Sequence, residues 1–221
     1  MIPDPDYEKW VIEMGKEKVE EIMKLAGQRG TAMHVFLETF INTYSKTKDV
    51  SQSLKITQEE SPKLLAIEQI PPNKVEEGRN LFYKFYFSEF TNTYSSVLGI
   101  EMGIYSPTLF YRGKLDIFYN DKLFGPSLTD FKSASEKIKK GSTKEYKYFC
   151  QLGAYANALD EMYISKNLII KRASILCINK KEDDLQEIEL SGVKLEEFKQ
   201  TFKTLCKEYH IKNKQEYLIQ T

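Results

Sequence analysis

Three consecutive segments in the middle of the chain, SVLGIEMGIYS (96–106), LFYRGKLDIFYN (109–120) and PSLTDFK (126–132), are rich in β-branched and aromatic residues and are punctuated by turn signals at Ser106-Pro107 and Asn120-Asp121. Connections this short allow only antiparallel neighbours, because a parallel crossover needs a dozen or more residues. A β-meander therefore lies midway along the chain, with helical periodicity on both sides of it. That order predicts an α/β or α+β fold: a central mixed sheet at about 97–190, wrapped by helices from both ends.

Upstream, apolar residues recur at helical spacing from Tyr7 to Ala26 (Val11, Met14, Val19, Ile22, Met23), with Gly27 and Gly30 expected to end the helix. A second helix is expected from Thr31 to Tyr44, with Thr31 as its N-cap. Ser45 to Glu60 reads as an exposed polar loop, Pro62 to Glu68 as a short helix, and Pro72 to Tyr94 as a long helix opened by proline. Downstream of the meander, a helix is expected over Ser142 to Ile164, strands at LIIKRASILCIN (168–179) and LQEIEL (185–190) across the KKEDD turn, and an amphipathic helix over Lys194 to Tyr209. The length, 221 residues, suits one domain, with a helical part at 1–95 and an α/β part at 96–221.

The 32 basic and 32 acidic side chains cancel, so no global field draws the chain to a polyanion, and such binding must come from a local patch. Cys150, Cys177 and Cys206 are odd in number and widely spaced, which fits a reducing compartment and offers no zinc or iron–sulfur spacing. The acidic start MIPDPDYEKW has neither a signal core nor a transit-peptide pattern, and no apolar run approaches a membrane span. The expected location is a cytoplasm.

The chemistry concentrates where the strands end. In LTDFK, Asp130 and Lys132 stand two residues apart and project from one face of a strand. Alone, such a pair is an ordinary surface ion pair. Asp116, however, sits mid-strand in YRGKLDIFY among apolar residues, where an unpaired carboxylate costs several kcal/mol, and the next strand delivers Asp130 after a tight turn. Two aspartates converging beside a lysine suit a hard divalent cation bound through oxygen. His34, in GTAMHVFLE, either adds imidazole to that shell or is simply packed on its helix. Gln151 and Tyr155, in QLGAY, stand one helical turn apart and face one region, where they either can donate to phosphate or are ordinary helix residues.

The ordered set GTAMHVFLE, GKLD, DFK and QLGAY resembles the PD-(D/E)XK nuclease superfamily, and within it the RecB-type exonucleases that include the mitochondrial genome maintenance exonuclease. The similarity spans about Gly30 to Tyr155, and each motif is weak without the other three. It implies a restriction-endonuclease-like fold in which His34, Asp116 and Asp130 hold the metal with the backbone carbonyl of Phe131. It further implies that Lys132 is the catalytic lysine and that Gln151 and Tyr155 orient substrate or lysine. Glu38 would orient His34 from behind, and Glu101 would bind a second ion or face water. Leu115 stands where the superfamily's eponymous proline would precede Asp116, and the cluster cysteines of its iron–sulfur members are absent.

The resemblance implies a magnesium-dependent deoxyribonuclease without an iron–sulfur cluster, with manganese substituting because imidazole softens the site. The expected partner is DNA, at ends or as single strands, in repair, recombination or replication. Lys139, Lys140 and Lys144, in the lysine-rich stretch before QLGAY, would guide its phosphates. The aromatic helix NLFYKFYFSEFTNTY is first of all core, with some rings able to stack on unpaired bases. Two alternatives stand beside this reading: a catalytically inactive nuclease-fold subunit that binds DNA or assembles, and a metal-dependent hydrolase of small phosphate esters.

Overall fold

The structure, a computed structural model, describes residues 4–89, 93–181 and 185–219. It contains helices α1 (Pro5–Met14), α2 (Lys16–Thr47), α3 (Val50–Ile67) and α4 (Pro72–Tyr86), followed by strands β1 (Tyr94–Ser106), β2 (Tyr111–Asp121) and β3 (Gly125–Ala134). Helix α5 (Thr143–Met162), strands β4 (Arg172–Asn179) and β5 (Leu185–Ser191), and helix α6 (Gly192–Ile219) complete the order. The five strands form one mixed sheet in chain order: every neighbouring pair is antiparallel except β3 and β4, which run parallel because α5 carries the chain back between them. The mixed α/β architecture with a helical amino-terminal region, expected from the sequence, is present. Among the described residues no helix is long and apolar enough to cross a membrane.

Each face of the sheet carries its own apolar core. On one face Phe36, Phe40, Phe82 and Phe85 from α2 and α4 pack on Ile117, Tyr119, Phe131 and Leu176. On the other, Leu152, Ala156 and Leu159 of α5 and Leu195 of α6 pack on Leu115, Phe118, Leu128, Ile175 and Cys177. The aromatic helix is therefore largely core, as its composition predicts.

The element boundaries differ from expectation in several places, among them the last helix, which runs over Gly192–Ile219 instead of Lys194 to Tyr209. The break between the first helices falls at Gly15, whose φ of 82° suits glycine, and not at Gly27 or Gly30. Thr31 accordingly lies inside α2 and caps nothing. Gly30 serves a different purpose: a Cβ there would stand 3.3 Å from Ser133 Oγ, so its absence lets α2 lie against the end of β3.

The expected loop from Ser45 to Glu60 is instead mostly α3, capped by Asp49, whose side chain accepts the Gln52 N–H. Its buried stripe is Ser53, Thr57, Ser61 and Leu65, three hydroxyl residues at four-residue spacing. Ser53 and Thr57 return their hydroxyls to carbonyls one turn back, so two of the three are satisfied within the helix while packed, whereas the Ser61 hydroxyl is buried without a partner among the described residues. The long helix ends at Tyr86 rather than Tyr94, which already belongs to β1; residues 90–92 of the expected span lie outside the described residues. Strand β4 starts at Arg172, four residues later than expected.

Helices α2 and α4 meet most closely at Gly78, where a Cβ would stand 2.4 Å from Ala32 Cβ and 2.7 Å from the Met33 nitrogen. Because two of the three nearest atoms are backbone, the neighbour cannot rotate away. Gly78→Val should destabilise the protein by roughly 2 kcal/mol or more, since overpacking outweighs what valine gains over glycine in helix propensity. Urea unfolding checks this, and a variant as stable as wild type would mean that α2 is free to move outward.

Candidate active site

The β2–β3 ladder ends at Ile117 opposite Thr129. One residue further, where Asp116 and Asp130 would face each other, no ladder pair forms; Asp116 Oδ2 instead accepts the Phe131 N–H at 2.6 Å. Beyond this point β2 continues to pair with β1 as far as Ser106 opposite Tyr111, while β3 continues beside β4 as far as Ala134 opposite Asn179. The sheet forks, and the candidate site lies in the fork.

Three elements bring side chains to it. From α2, His34 places Nδ1 3.5 Å from Asp116 Oδ1 and 3.6 Å from Glu101 Oε1. From β1 comes Glu101, whose φ of 47° is the left-handed conformation, a strain of order 1–3 kcal/mol for a residue other than glycine. Potential ligand atoms of His34, Glu101 and Asp116 all lie within 4.8 Å of one another. One imidazole nitrogen and two carboxylates at this spacing fit a single divalent cation.

Asp130 stands beside this group with both oxygens engaged: Oδ2 pairs with Lys132 Nζ at 2.5 Å, and Oδ1 accepts from Gln151 Nε2 at 3.2 Å. Gln151 also donates to Tyr155 Oη at 2.8 Å. The expected residues thus meet in one place, but the tight triad contains Glu101 rather than Asp130. Phe131 reaches the site through its main chain, its ring being buried in the α2/α4 core. Glu38 borders an open cleft of about 330 Å³ shared with His34, Glu101, Asp116 and Lys114, and Lys114 pairs with Glu101.

Burial and charge crowding together set the protonation of the group. Burial, then the Asp130 charge, push the Asp116 carboxyl up to about 7. Burial likewise raises Asp130 against the pull of Lys132. Burial opposes the charged forms of His34 and Lys132, yet both are raised, His34 by Glu101 and Asp116 and Lys132 by Asp130. Glu101 is lowered, because hydrogen bonds from His34 and Lys114 outweigh its burial. Glu38 is raised by burial and by Glu101.

Of the three lysines singled out as phosphate guides, Lys144 lies over the Tyr148 ring, 5.9 Å from its centre, and Lys132 lies over the same ring at 5.7 Å. Lys139 and Lys140 are exposed in the connection before α5. Tyr148 is the residue that motif reading passes over. It precedes Gln151 and Tyr155 by three and seven positions, the spacing of one helix face, so periodicity alone places it at the site.

No protein-family model matches the sequence, and neither does any curated protein. Among solved structures, the fold overlaps that of a protein from Eubacterium rectale described as "Putative exonuclease", with a TM-score of 0.45 and 11% sequence identity. The overlap covers 74% of this chain and 62% of that one, so the chain spans less than two thirds of the length of its structural neighbour.

Asp116 carries a measurable signature. Its folded pKa of about 7 exceeds the unfolded value near 4, so between these pH values the native state holds more proton and stability falls as pH rises. Asp116→Asn keeps an oxygen for the Phe131 N–H and abolishes the charge. In chelator at pH 8 it should be more stable than wild type by roughly 2–4 kcal/mol, with little difference at pH 4. Urea unfolding across pH checks this; parallel curves for the two proteins would contradict the assigned crowding.

Proposed function

We propose that the protein is a metal-dependent deoxyribonuclease, an exonuclease that hydrolyses phosphodiester bonds at DNA ends or in single strands. The observation that supports this reading best is the fork itself. A histidine from one helical layer, carboxylates from three strands, and a lysine and a glutamine–tyrosine pair facing the other layer converge where two strands part. The site's own carboxylates need a cation more than they need one another.

His34, Glu101 and Asp116 would hold magnesium, or manganese in its place; Asp130 would join by exchanging one of its present partners, with the Phe131 carbonyl on the same stretch of strand. When bound, the cation supplies Lewis acidity to a phosphoryl oxygen and lowers the pKa of a water. The chain's own groups do the rest. Lys132, kept charged by Asp130, is placed to pair with a non-bridging phosphate oxygen as the carboxylate turns to the cation. Gln151 Nε2 and Tyr155 Oη can donate to the same phosphate, and the burial of the phenol keeps its proton in place. Lys144, with Lys139 and Lys140 behind it, offers phosphates a cationic approach despite the zero net charge. Repair, recombination or replication-linked processing is the setting such an activity would serve.

End-labelled single- and double-stranded DNA, incubated with magnesium, manganese or chelator, tests the reading. Asp116→Ala, Asp130→Ala and Lys132→Ala should each lower cleavage at least ~100-fold while the fold persists. Wild-type-like cleavage by any of the three, or by wild type in chelator, would overturn the assignment. Turnover of small phosphate esters without any effect of polymer length would favour the esterase alternative.

His34 and Glu101 should behave differently from Lys132. His34→Ala and Glu101→Gln are expected to raise the metal concentration needed for half-maximal activity by ~10-fold or more. Lys132→Ala should leave that concentration nearly unchanged. A metal titration of each variant decides, and a Glu101→Gln curve that overlays wild type would leave Glu101 outside the metal site.

A further inference from the structure

The β1–β2 hairpin, once it has left β3, is fastened to the two helices of the opposite layer. Tyr111 Oη donates to the Ala154 carbonyl at 2.5 Å, and Ser106 and Thr108 donate to Glu161 at 2.8 and 2.6 Å, all on α5. From α6, His210 Nε2 lies 3.0 Å from the Leu109 carbonyl. Between the hairpin tip, α5 and α6 runs an open groove of about 730 Å³. Its inner end is Gln151 and Tyr155, the pair that adjoins Asp130; its outer part carries Phe110, Arg112, Tyr209 and Lys212, with Glu208 as the one acidic side chain of the lining.

Phe110 is the anomaly of this region. Its φ of 53° is one that a bulky side chain adopts at a steric cost, and the tight turn around it would suit glycine or asparagine. The strain gains no burial, since Phe110 is 80% exposed, and Tyr209 across the groove is 61% exposed. The Phe110 ring is held edge-on to His210, with centroids 6.3 Å apart. Among the described residues neither Arg112 nor Lys212 has an acidic partner, so two cations are available beside two presented aromatic faces.

We infer that this groove binds the single-stranded stretch of a nucleic acid whose scissile phosphate lies at Asp130 and Lys132, with unpaired bases stacked on Phe110 and Tyr209 and phosphates on Arg112 and Lys212. The inference rests on the nuclease reading for the position of the scissile phosphate, and on the groove itself for the ligand class. Exposed aromatic faces together with cations that lack an acidic partner among the described residues are what a single strand needs: every base has a face to stack, and every linkage carries a charge. A duplex would not present its base faces to the two rings. The groove opens onto Gln151 and Tyr155, so a strand leaving the fork on this side enters it directly.

Binding of a fluorescein-labelled oligothymidylate of ~12 nucleotides to the full chain in chelator tests the groove without requiring cleavage. Phe110→Ala and Tyr209→Ala should each weaken binding at least ~5-fold, and Phe110→Trp should restore it. Arg112→Ala combined with Lys212→Ala should flatten the dependence of log affinity on log salt by ~1.4. Phe110→Gly should weaken binding while raising the melting temperature, a pairing that a purely structural role for the ring would not produce. If the ring variants and the double variant bind as wild type does, at every salt concentration, the groove does not carry the strand, whatever cleavage assays show. Groove-dependent binding by a wild-type protein that fails to cut DNA with magnesium or manganese would uphold the groove and overturn the nuclease reading.

Discussion

A single hydrogen bond, from the Phe131 N–H to Asp116 Oδ2, stands where the β2–β3 ladder would otherwise continue. A backbone carbonyl in that position would have extended the ladder and kept the two strands together. The carboxylate satisfies the same donor but leaves the strands free to part, and it fixes its own orientation in doing so. Everything at the site follows from that substitution. His34 enters beside Asp116 from the α2 side, and Asp130 faces α5 without a ladder partner from β2. The β1–β2 hairpin meanwhile crosses to α5, where Tyr111 and Ser106 fasten it.

Burial and the charge pattern together explain why the Asp116 carboxyl is raised. Of the three carboxylates in the fork, Glu101 has Lys114 and Asp130 has Lys132. Among the described residues Asp116 has no lysine ion pair and shares His34 with Glu101. Burial first, and then the Asp130 charge, raise its carboxyl to about 7, while Glu101 falls. A cation placed among His34, Glu101 and Asp116 would therefore act first on the residue that also holds the fork open.

The sequence makes some of this legible and hides the rest for identifiable reasons. The meander, and the shared face of Asp130 and Lys132, follow from strand periodicity, and the structure keeps both. His34 is ambiguous by periodicity and is singled out by motif order. The α3 helix is hidden because its buried stripe consists of Ser53, Thr57 and Ser61, which read as polar although their packing depends on their small size. The first helix break is misplaced because Gly15, Gly27 and Gly30 are equivalent in sequence: the positive φ of Gly15 marks the break, and Gly30 is set apart by its neighbour Ser133. Glu101 is underweighted because its position depends on a left-handed backbone, which no side-chain pattern announces.

One hairpin links the two ends of the proposed substrate path. From Asp116 to Tyr111 is five residues of strand, about 17 Å at the rise of an antiparallel pair, so the fork and the aromatic tip are held at a fixed separation. Midway stands Gly113, where a Cβ would lie 3.1 Å from the Tyr155 ring. The missing side chain lets Tyr155 rest against β2 while its hydroxyl accepts from Gln151, which in turn reaches Asp130. A side chain at position 113 would therefore act in both directions at once. It would push Tyr155 off the strand, disturbing the donors beside Asp130, and it would narrow the inner end of the groove that begins there. The glycine thus couples the Asp130 end of the site to the groove beside it through a steric requirement at one atom.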